Sequence, residues 1–536
     1  MAKKKQSRKK KPKKTATASP EARPLAVIDI GTSSIRLLIA QPAPDGSMQT
    51  LESLRQEATL GEDVFTTGRI STSTTEACVT TLKGFSNVLK EYQISDPGQI
   101  RAVATSAVRE ASNRDAFIDR IYVGTNIDVE IIDQAEETRL TYLSAEPILQ
   151  KSKLSKTRPI LVVEVGGGST EVLLIYDKSL EFAHNYRFGS QRLQEMLARP
   201  HISGKQQRRL METEIGRIVD QINHNVPMED RPNLILLGGE ARFLVTQMGA
   251  NPDPETQSTK LKTSDIAALT DKILEMSTDE IVKTYKILYP EAETLGATLL
   301  TYVMLARRCQ TRNIYVAAQT LRDGILREFN APLTWSEDFF HQIQRSVREL
   351  GRYYDYDEAH ANHVAQLADS LFEQLKNEHQ LNAHAGQLLT IAAQLHEIGM
   401  YINIAGHHKH TLYLINNSEI FGLSKRDQKI IALTARYHRR AAPRMRHPDF
   451  AALDRTDRIT VAKLASILRI ADALDRSRNQ RIRDVTTYFS ENTLTLGVPK
   501  VEDLSLERLA LEQKGSLFTD IYGLNISLHT GAGDKT

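Results

Sequence analysis

Two segments of this 536-residue chain repeat one pattern: an apolar strand, a glycine turn and a second apolar strand. The first is LAVIDIG with TSSIRLLIA, Leu25 to Ala40; the second is ILVVEVGGGSTEVLLIY, Ile160 to Tyr176. Strands joined this tightly form hairpins. Two such units about one domain length apart predict related lobes facing each other across a cleft. Backbone N–H groups in the turns lack ladder partners, so each turn makes a concave anion site. Gly31, Thr32, Ser33 and Ser34 supply N–H and hydroxyl donors in the first turn, and Gly166, Gly167, Gly168 and Ser169 in the second. Asp29 stands before the first turn, and Glu164 and Glu171 flank the second, where carboxylates could hold a divalent cation beside a phosphate. A lone glycine triplet is as often a structural turn; the pairing with matching acids favours the phosphate reading.

The rest of the chain continues in α/β order. A helical stretch around Ser73 to Tyr92, a strand RAVATSAV from Arg101, a helix from about Asn113 and a short strand IDVEIID from Ile127 precede a helix opening with Ala135, Glu136 and Glu137. NLILLGGEARFL at Asn233 and IYVAAQTLRDGIL at Ile314 each read as strand, turn and helix. From about Trp335 to Arg483 helical patterns dominate and histidines concentrate; the last stretch alternates like a small sheet flanking one helix. The predicted organisation is a basic tail at 1–24, lobe I at 25–145, lobe II at 146–333, a helical domain at 334–484 and a small α+β segment at 485–536.

Charge is unevenly distributed. Nine of the 69 Lys and Arg residues lie between Lys3 and Lys14; beyond them, 66 acidic residues face 60 basic ones. The tail cannot bury apolar surface and is expected to be solvated, with nonspecific polyanion contact through Lys3 to Lys14 as its alternative use. Cys78 and Cys309 form no Cys-x-x-Cys, which speaks against a disulfide framework or a thiolate metal site. No apolar run approaches the roughly 18 residues of a membrane span, so the expected location is the cytoplasm, away from membranes.

Six motifs stand in one order: DIGTSSIRLL at Asp29, ATSAVREASN at Ala104, AEETRLTY at Ala135, GGGSTEV at Gly166, LLGGEARFL at Leu236 and LRDGIL at Leu321. In order and spacing they resemble the exopolyphosphatase and guanosine-pentaphosphate phosphatase family over residues 25 to 330. The resemblance implies an α/β two-lobed actin-like fold (ASKHA, ribonuclease H-like). It also implies release of terminal phosphate from inorganic polyphosphate, guanosine pentaphosphate or both, with Mg2+ as cofactor, Mn2+ as its alternative, and a homodimer. By similarity, Glu137 activates the water, Arg109 binds phosphate and stabilises the charge that develops on it, and Asp29, Glu164 and Glu171 manage the magnesium. These roles match what phosphoanhydride hydrolysis demands: charge neutralisation and an oriented, activated water. Taken singly, a helix-face Glu or an Arg109 beside Glu110 reads as surface charge; motif context reverses this for Glu137 and Arg109 but not for Glu136. The chain departs from the family twice here, with Glu164 for the usual Asp, about 1.5 Å longer, and Ser33 for the common Asn.

EAHANHVAQLADSLF around His360, AAQLHEIG around His396, GHHKHTLYLINNS from Gly406, ARYHRR around His438 and ILRIADALDRS from Ile467 resemble the HD-type C-terminal domain of longer family members. In HD hydrolases a His, a His-Asp pair and a distant Asp bind a divalent metal; the matching positions are His360, His396, Glu397 and Asp472, with Glu397 replacing the signature Asp. A structural role for the domain is the favoured expectation, a working second metal site the alternative. His407, His408, Lys409, His410, Arg436, His438, Arg439, Arg440, Arg444 and Arg446 also suggest a basic track for a polyanion near the lobes, set against a plain solvated surface.

Two rival functions were weighed against the phosphohydrolase. An ATP-dependent sugar kinase of the same superfamily is disfavoured by the Glu137 motif and the helical extension. A non-catalytic sensor or scaffold for polyphosphate or guanosine nucleotides draws on Glu164, Ser33 and Glu397.

Overall fold

The computed structural model describes residues 23–531 except 44–47, 152–153, 155–157, 178, 198–203, 227–229, 255, 331–334, 336, 419, 440, 500 and 502; the Lys3 to Lys14 tail and Arg440 lie outside the described residues. The first hairpin is β1 (Leu25–Ile30) and β2 (Ser34–Pro42), extended by β3 (Met48–Glu57), with β4 (Ile100–Ala104) and β5 (Val129–Ile131) beyond it. The sheet order is β3-β2-β1-β4-β5, with β1–β3 antiparallel and β4 and β5 parallel to β1. The second lobe repeats the plan with β6 (Ile160–Val165), β7 (Thr170–Tyr176), β8 (Ser179–Tyr186), β9 (Asn233–Leu237), β10 (Ser258–Lys262) and β11 (Asn313–Ala317), in the order β8-β7-β6-β9-β11-β10. β6–β8 are antiparallel, β9 and β11 run parallel to β6, and β10 adds an antiparallel edge. The duplication predicted from the two hairpins is therefore a duplication of whole sheets.

Apolar runs become central strands because both faces are covered: every residue of β1 after Leu25 is buried, as are Ile160 to Val163. β3 and β8 escaped the sequence reading. β3 is a half-exposed edge whose charged residues, Glu52, Arg55 and Glu57 among them, mask its alternation.

One helix corrects the predicted boundary between the lobes. Leu321–Asn330, assigned to lobe II by a boundary at 333, packs back on lobe I: Ile325 and Leu326 share a core with Val27, Leu38, Val103 and Leu140. Glu328 pairs with Arg101 and with Arg139, which also holds Glu136 at 2.7 Å. Glu136 is thus an interior structural acid, its carboxyl held below the usual range by Arg139 and Arg101 despite burial.

Residues beyond 335 form a mostly helical domain around Arg455–Leu474, against which Glu358–Gln374, Lys425–Arg436 and Ser505–Lys514 pack. The C-terminal strands β12 (Thr486–Ser490), β13 (Thr493–Val498) and β14 (Asn525–Thr530) flank two helices rather than one, and Leu494, Leu496 and Phe518 belong to the same core as the helices. The domain docks through Glu337–Tyr353: Phe339 and Phe421 pack on Tyr142, Gln342 donates to the Tyr142 hydroxyl at 2.9 Å, and Arg345 pairs with Glu181. Among the described residues no helix is long and apolar enough to cross a membrane.

Helix Leu321–Asn330 approaches helix Gln134–Lys151 closely because Gly324 has no side chain; a β-carbon there would lie 2.2 Å from the Leu140 carbonyl oxygen. Gly324→Ala is expected to cost about 1–3 kcal/mol of lobe I stability through overpacking. An unchanged chemical-denaturation midpoint would contradict this close packing.

Candidate active site

The two glycine turns occupy equivalent places in their sheets and carry the same hydrogen bond: Gly31 N–H donates to Ser34 O at 3.0 Å, and Gly166 N–H to Ser169 O at 2.8 Å. Asp29 and Glu164 stand at matching register positions, opposite Arg36 and Glu171 respectively. The turns meet across the cleft: a β-carbon on Gly167 would lie 3.0 Å from Thr32, and one on Gly168 would lie 2.5 Å from the Ser106 hydroxyl, which sits 3.3 Å from the Thr32 hydroxyl. The carbonyls of Gly166 and Gly167 accept N–H donation from Ser190, Gln191 and Arg192 at 2.9–3.0 Å. With its carbonyls turned to the helix Ser190–Leu197, the amide edge of the second turn is left for the cleft.

Glu137 reaches this junction because its helix, Gln134–Lys151, starts where Asp133 caps it; Asp133 Oδ1 accepts from Glu136 N–H at 2.8 Å. Arg109 lies on the short helix Ser106–Glu110 after β4. Its guanidinium donates to Glu137 Oε2 at 3.0 Å and to Ile132 O at 2.9 Å. Asn185 of β8 donates to the same Glu137 oxygen at 3.4 Å and to Glu171 Oε1 at 2.5 Å, and the Ser169 hydroxyl donates to Glu171 Oε1 at 2.8 Å. Glu137 Oε1 has no partner among the described residues. Glu110, next to Arg109, pairs across the cleft with Arg187 and Arg192, both at 2.6 Å.

The pocket gathers the carboxyl groups of Asp29, Glu137, Glu164 and Glu171. Burial raises the Glu137 carboxyl above its usual range, opposed by Arg109 and reinforced by Asp29 and Asp133. Burial pushes Glu164 up to about 7, with Glu137 and Asp29 adding to the shift and Arg242 pulling against it. Glu171 is raised well above the usual range by burial and by Glu137 and Glu164. Asp29, Glu164 and Glu171 thus share one electrostatic field, though their oxygens do not all come within 4.8 Å of one another. A divalent cation fits this donor chemistry, since hard oxygen ligands and uncompensated buried charge both call for one.

Four side chains of this site went unassigned in the sequence reading: Arg36, Arg242, Arg322 and Asn185. The three guanidiniums interact around Asp29, Glu164 and Asp323. Arg242 Nη1 and Arg322 Nε are buried with no hydrogen-bond partner, and burial lowers both groups. Three of them lie inside quoted motifs, DIGTSSIRLL, LLGGEARFL and LRDGIL, so the signal was present; Asn185 lies on the unrecognised β8. The Ser33 carbonyl accepts from Ala58 N–H at 3.0 Å, and Thr32 makes the approach to the opposite turn.

In the helical domain, ligand atoms of His360, His396 and Asp472 lie within 4.8 Å of one another. Glu397 comes within 3.8 Å of His360, but both its oxygens are held by Arg478 at 2.7 and 2.6 Å. The proposed basic track is corrected in part: His407 and His438 are interior, 5% and 1% exposed, and cannot face a polyanion on the surface.

The Ppx/GppA phosphatase family profile matches residues 38–330, and that of Ppx/GppA phosphatase domain III matches 343–514. A guanosine-5'-triphosphate,3'-diphosphate pyrophosphatase from Vibrio atlanticus is 25% identical over 518 residues, covering 94% of this chain and 97% of its own. Among solved structures, an exopolyphosphatase from Cytophaga hutchinsonii is 24% identical, covers 57% of this chain and 98% of its own, and superposes with a TM-score of 0.51. An exopolyphosphatase-like protein is 26% identical over 58% of this chain and 98% of its own, with a TM-score of 0.50.

Because Glu164 titrates near 7 in the folded protein against an ordinary value of 4.5, the folded state binds more protons than the unfolded state between those values. Its contribution to stability is therefore full below the unfolded value and is lost as pH rises through the folded one. Stability of the ligand-free protein should fall between pH 4.5 and 7, and Glu164→Gln should flatten that decline. A denaturation midpoint that falls as steeply in Glu164→Gln would contradict the assignment.

Proposed function

The chain belongs to the Ppx/GppA phosphatase family, and from that premise we propose that it hydrolyses the terminal phosphoanhydride of inorganic polyphosphate or guanosine pentaphosphate, with Glu137 as the water-activating base. The observation that carries this reading is the placement of Glu137. One of its oxygens is engaged by Arg109 and Asn185, and the other is left without a partner at the junction of the two phosphate-type turns.

The transferred phosphoryl group needs donors on its equatorial oxygens, a water in line and a base beside that water. The amides of Thr32 and Ser33 and of Gly167 to Ser169, which follow the turn-closing bonds of Gly31 and Gly166, would supply donors from both lobes, and Arg109 would add a charged one. Burial raises the basicity of Glu137 above that of an exposed carboxylate, and Arg109 opposes that rise. Asn185 fixes the carboxylate plane by joining Glu137 to Glu171. Asp29, Glu164 and Glu171 would hold Mg2+, or Mn2+, which when bound neutralises charge on the phosphate oxygens. Arg242 and Arg322 offer further unsatisfied donors for the remainder of the substrate. A cavity of about 190 Å³ lined by Gln134, Asn185, Gln342, Arg345 and the acids Glu181 and Glu349 opens beside the same helix.

Glu137→Gln keeps the size and the hydrogen bond to Arg109 but removes the base. Phosphate release should fall about 100-fold or more, while equilibrium binding of polyphosphate persists. Near-normal turnover in that variant would sink the assignment of Glu137. Asn185→Ala, which frees the carboxylate plane, should lower kcat about tenfold or more through misorientation with a small effect on KM; a change confined to KM would make Asn185 a binding residue instead.

A further inference from the structure

The helical domain carries a cluster that the cleft chemistry does not use. His360 Nδ1 donates to Asp475 Oδ2 at 2.8 Å, and His396 Nδ1 donates to the Ala393 carbonyl at 2.6 Å. Each ring is thereby held with its Nε2 lone pair directed inward. Both Nε2 atoms are buried without a hydrogen-bond partner, on residues 2% and 0% exposed. Two interior acceptors left unpaired cost free energy unless something binds them. Both face Asp472 Oδ1, at 3.7 and 4.0 Å. A cation held at about 2.0–2.1 Å from such donors requires separations of no more than about 4.2 Å between them, and both distances meet that limit. Lys514 occupies the other Asp472 oxygen and leaves Oδ1 to the histidines.

A second pair adjoins the first. The His438 ring lies 5.0 Å from that of His396, edge to face. His438 Nδ1 donates to the Ala435 carbonyl at 2.5 Å and His407 Nδ1 to the Ile404 carbonyl at 3.1 Å, yet the two Nε2 atoms approach to 3.1 Å. With both Nδ1 positions protonated, two acceptor nitrogens confront each other, an arrangement that a cation relieves. Glu397, which the HD pattern would make a ligand, is instead tied on both oxygens to Arg478.

We propose that the helical domain binds a divalent transition cation through His360, His396 and Asp472, with its coordination completed from the His438 and His407 side rather than by Glu397. Imidazole-rich sets favour zinc-class ions over magnesium, which prefers oxygen and retains its waters. The centre is chemically distinct from the carboxylate cleft between the lobes. Asp475 acts through His360, as an outer partner that fixes a ligand's tautomer and orientation.

The test is a titration of the full chain, purified without a histidine tag and stripped with chelator, using Zn2+ and its optical stand-in Co2+ in the presence of excess Mg2+. The unmodified chain should retain one equivalent of Zn2+ through gel filtration and give Co2+ visible bands of nitrogen ligation. Asp475→Asn should weaken binding about 10–100-fold, and His396→Gln and His438→Asn should weaken it at least as much. Glu397→Gln should leave it within about twofold, and Glu137→Gln, in the cleft, should leave the stoichiometry unchanged. Absence of a tight equivalent in the unmodified chain would overturn the proposal whether or not any variant folds. So would an equivalent that survives His396→Gln, or one lost in Glu397→Gln but retained in His438→Asn.

Discussion

The cleft depends on the approach of two backbone turns, Gly31 to Ser33 and Gly166 to Gly168, at a distance that excludes side chains from the second. Thr32 stands where a β-carbon on Gly167 would meet it at 3.0 Å, and Ser106 fills the space that one on Gly168 would need. Each turn is closed by the same short N–H to carbonyl bond, so its following amides are presented as a concave edge. Because the lobes share one strand order, their turns meet as equivalents, and the acids before them, Asp29 and Glu164, arrive from opposite sides.

That convergence crowds buried carboxyl groups against one another as well as against the neighbouring guanidiniums. Glu137, Glu164 and Glu171 are all raised by burial, and each feels at least one of the others or Asp29. A site in this state gains from a polyanion only with compensating positive charge, which is the physical reason for expecting the cation and the substrate to bind together. Arg109 has a separate part. It joins Glu137 to the end of β5 through the Ile132 carbonyl, so this carboxylate is positioned by lobe I while Asn185 holds it from lobe II. The Glu137 carboxylate is therefore oriented from both lobes, which the cross-cleft pairs of Glu110 with Arg187 and Arg192 also join.

Much of this was legible in the sequence. The hairpins and the duplication follow from apolar runs broken by glycine, whereas Glu137, Arg109, His360, His396 and Asp472 were singled out by the resemblance of their motifs to known families. What was missed has physical causes. β3 hides its alternation under charge on an exposed edge. The return of helix Leu321–Asn330 to lobe I is a long-range packing choice, made by Gly324 and Glu328 meeting residues far away in the chain. His407 and His438 sit amid lysines and arginines, a context that reads as surface, yet their rings turn inward. Glu136 and Glu137 are neighbours with opposite fates: one is fixed by Arg139 and Arg101, the other opens to the cleft.

The most direct measurement is phosphate release by the purified full chain with Mg2+, comparing long-chain polyphosphate, guanosine pentaphosphate and ATP. Hydrolysis between the two turns predicts Mg2+-dependent release of terminal phosphate from polyphosphate or guanosine pentaphosphate at a rate well above that from ATP. Binding of those substrates without release, at any Mg2+ concentration, would contradict it.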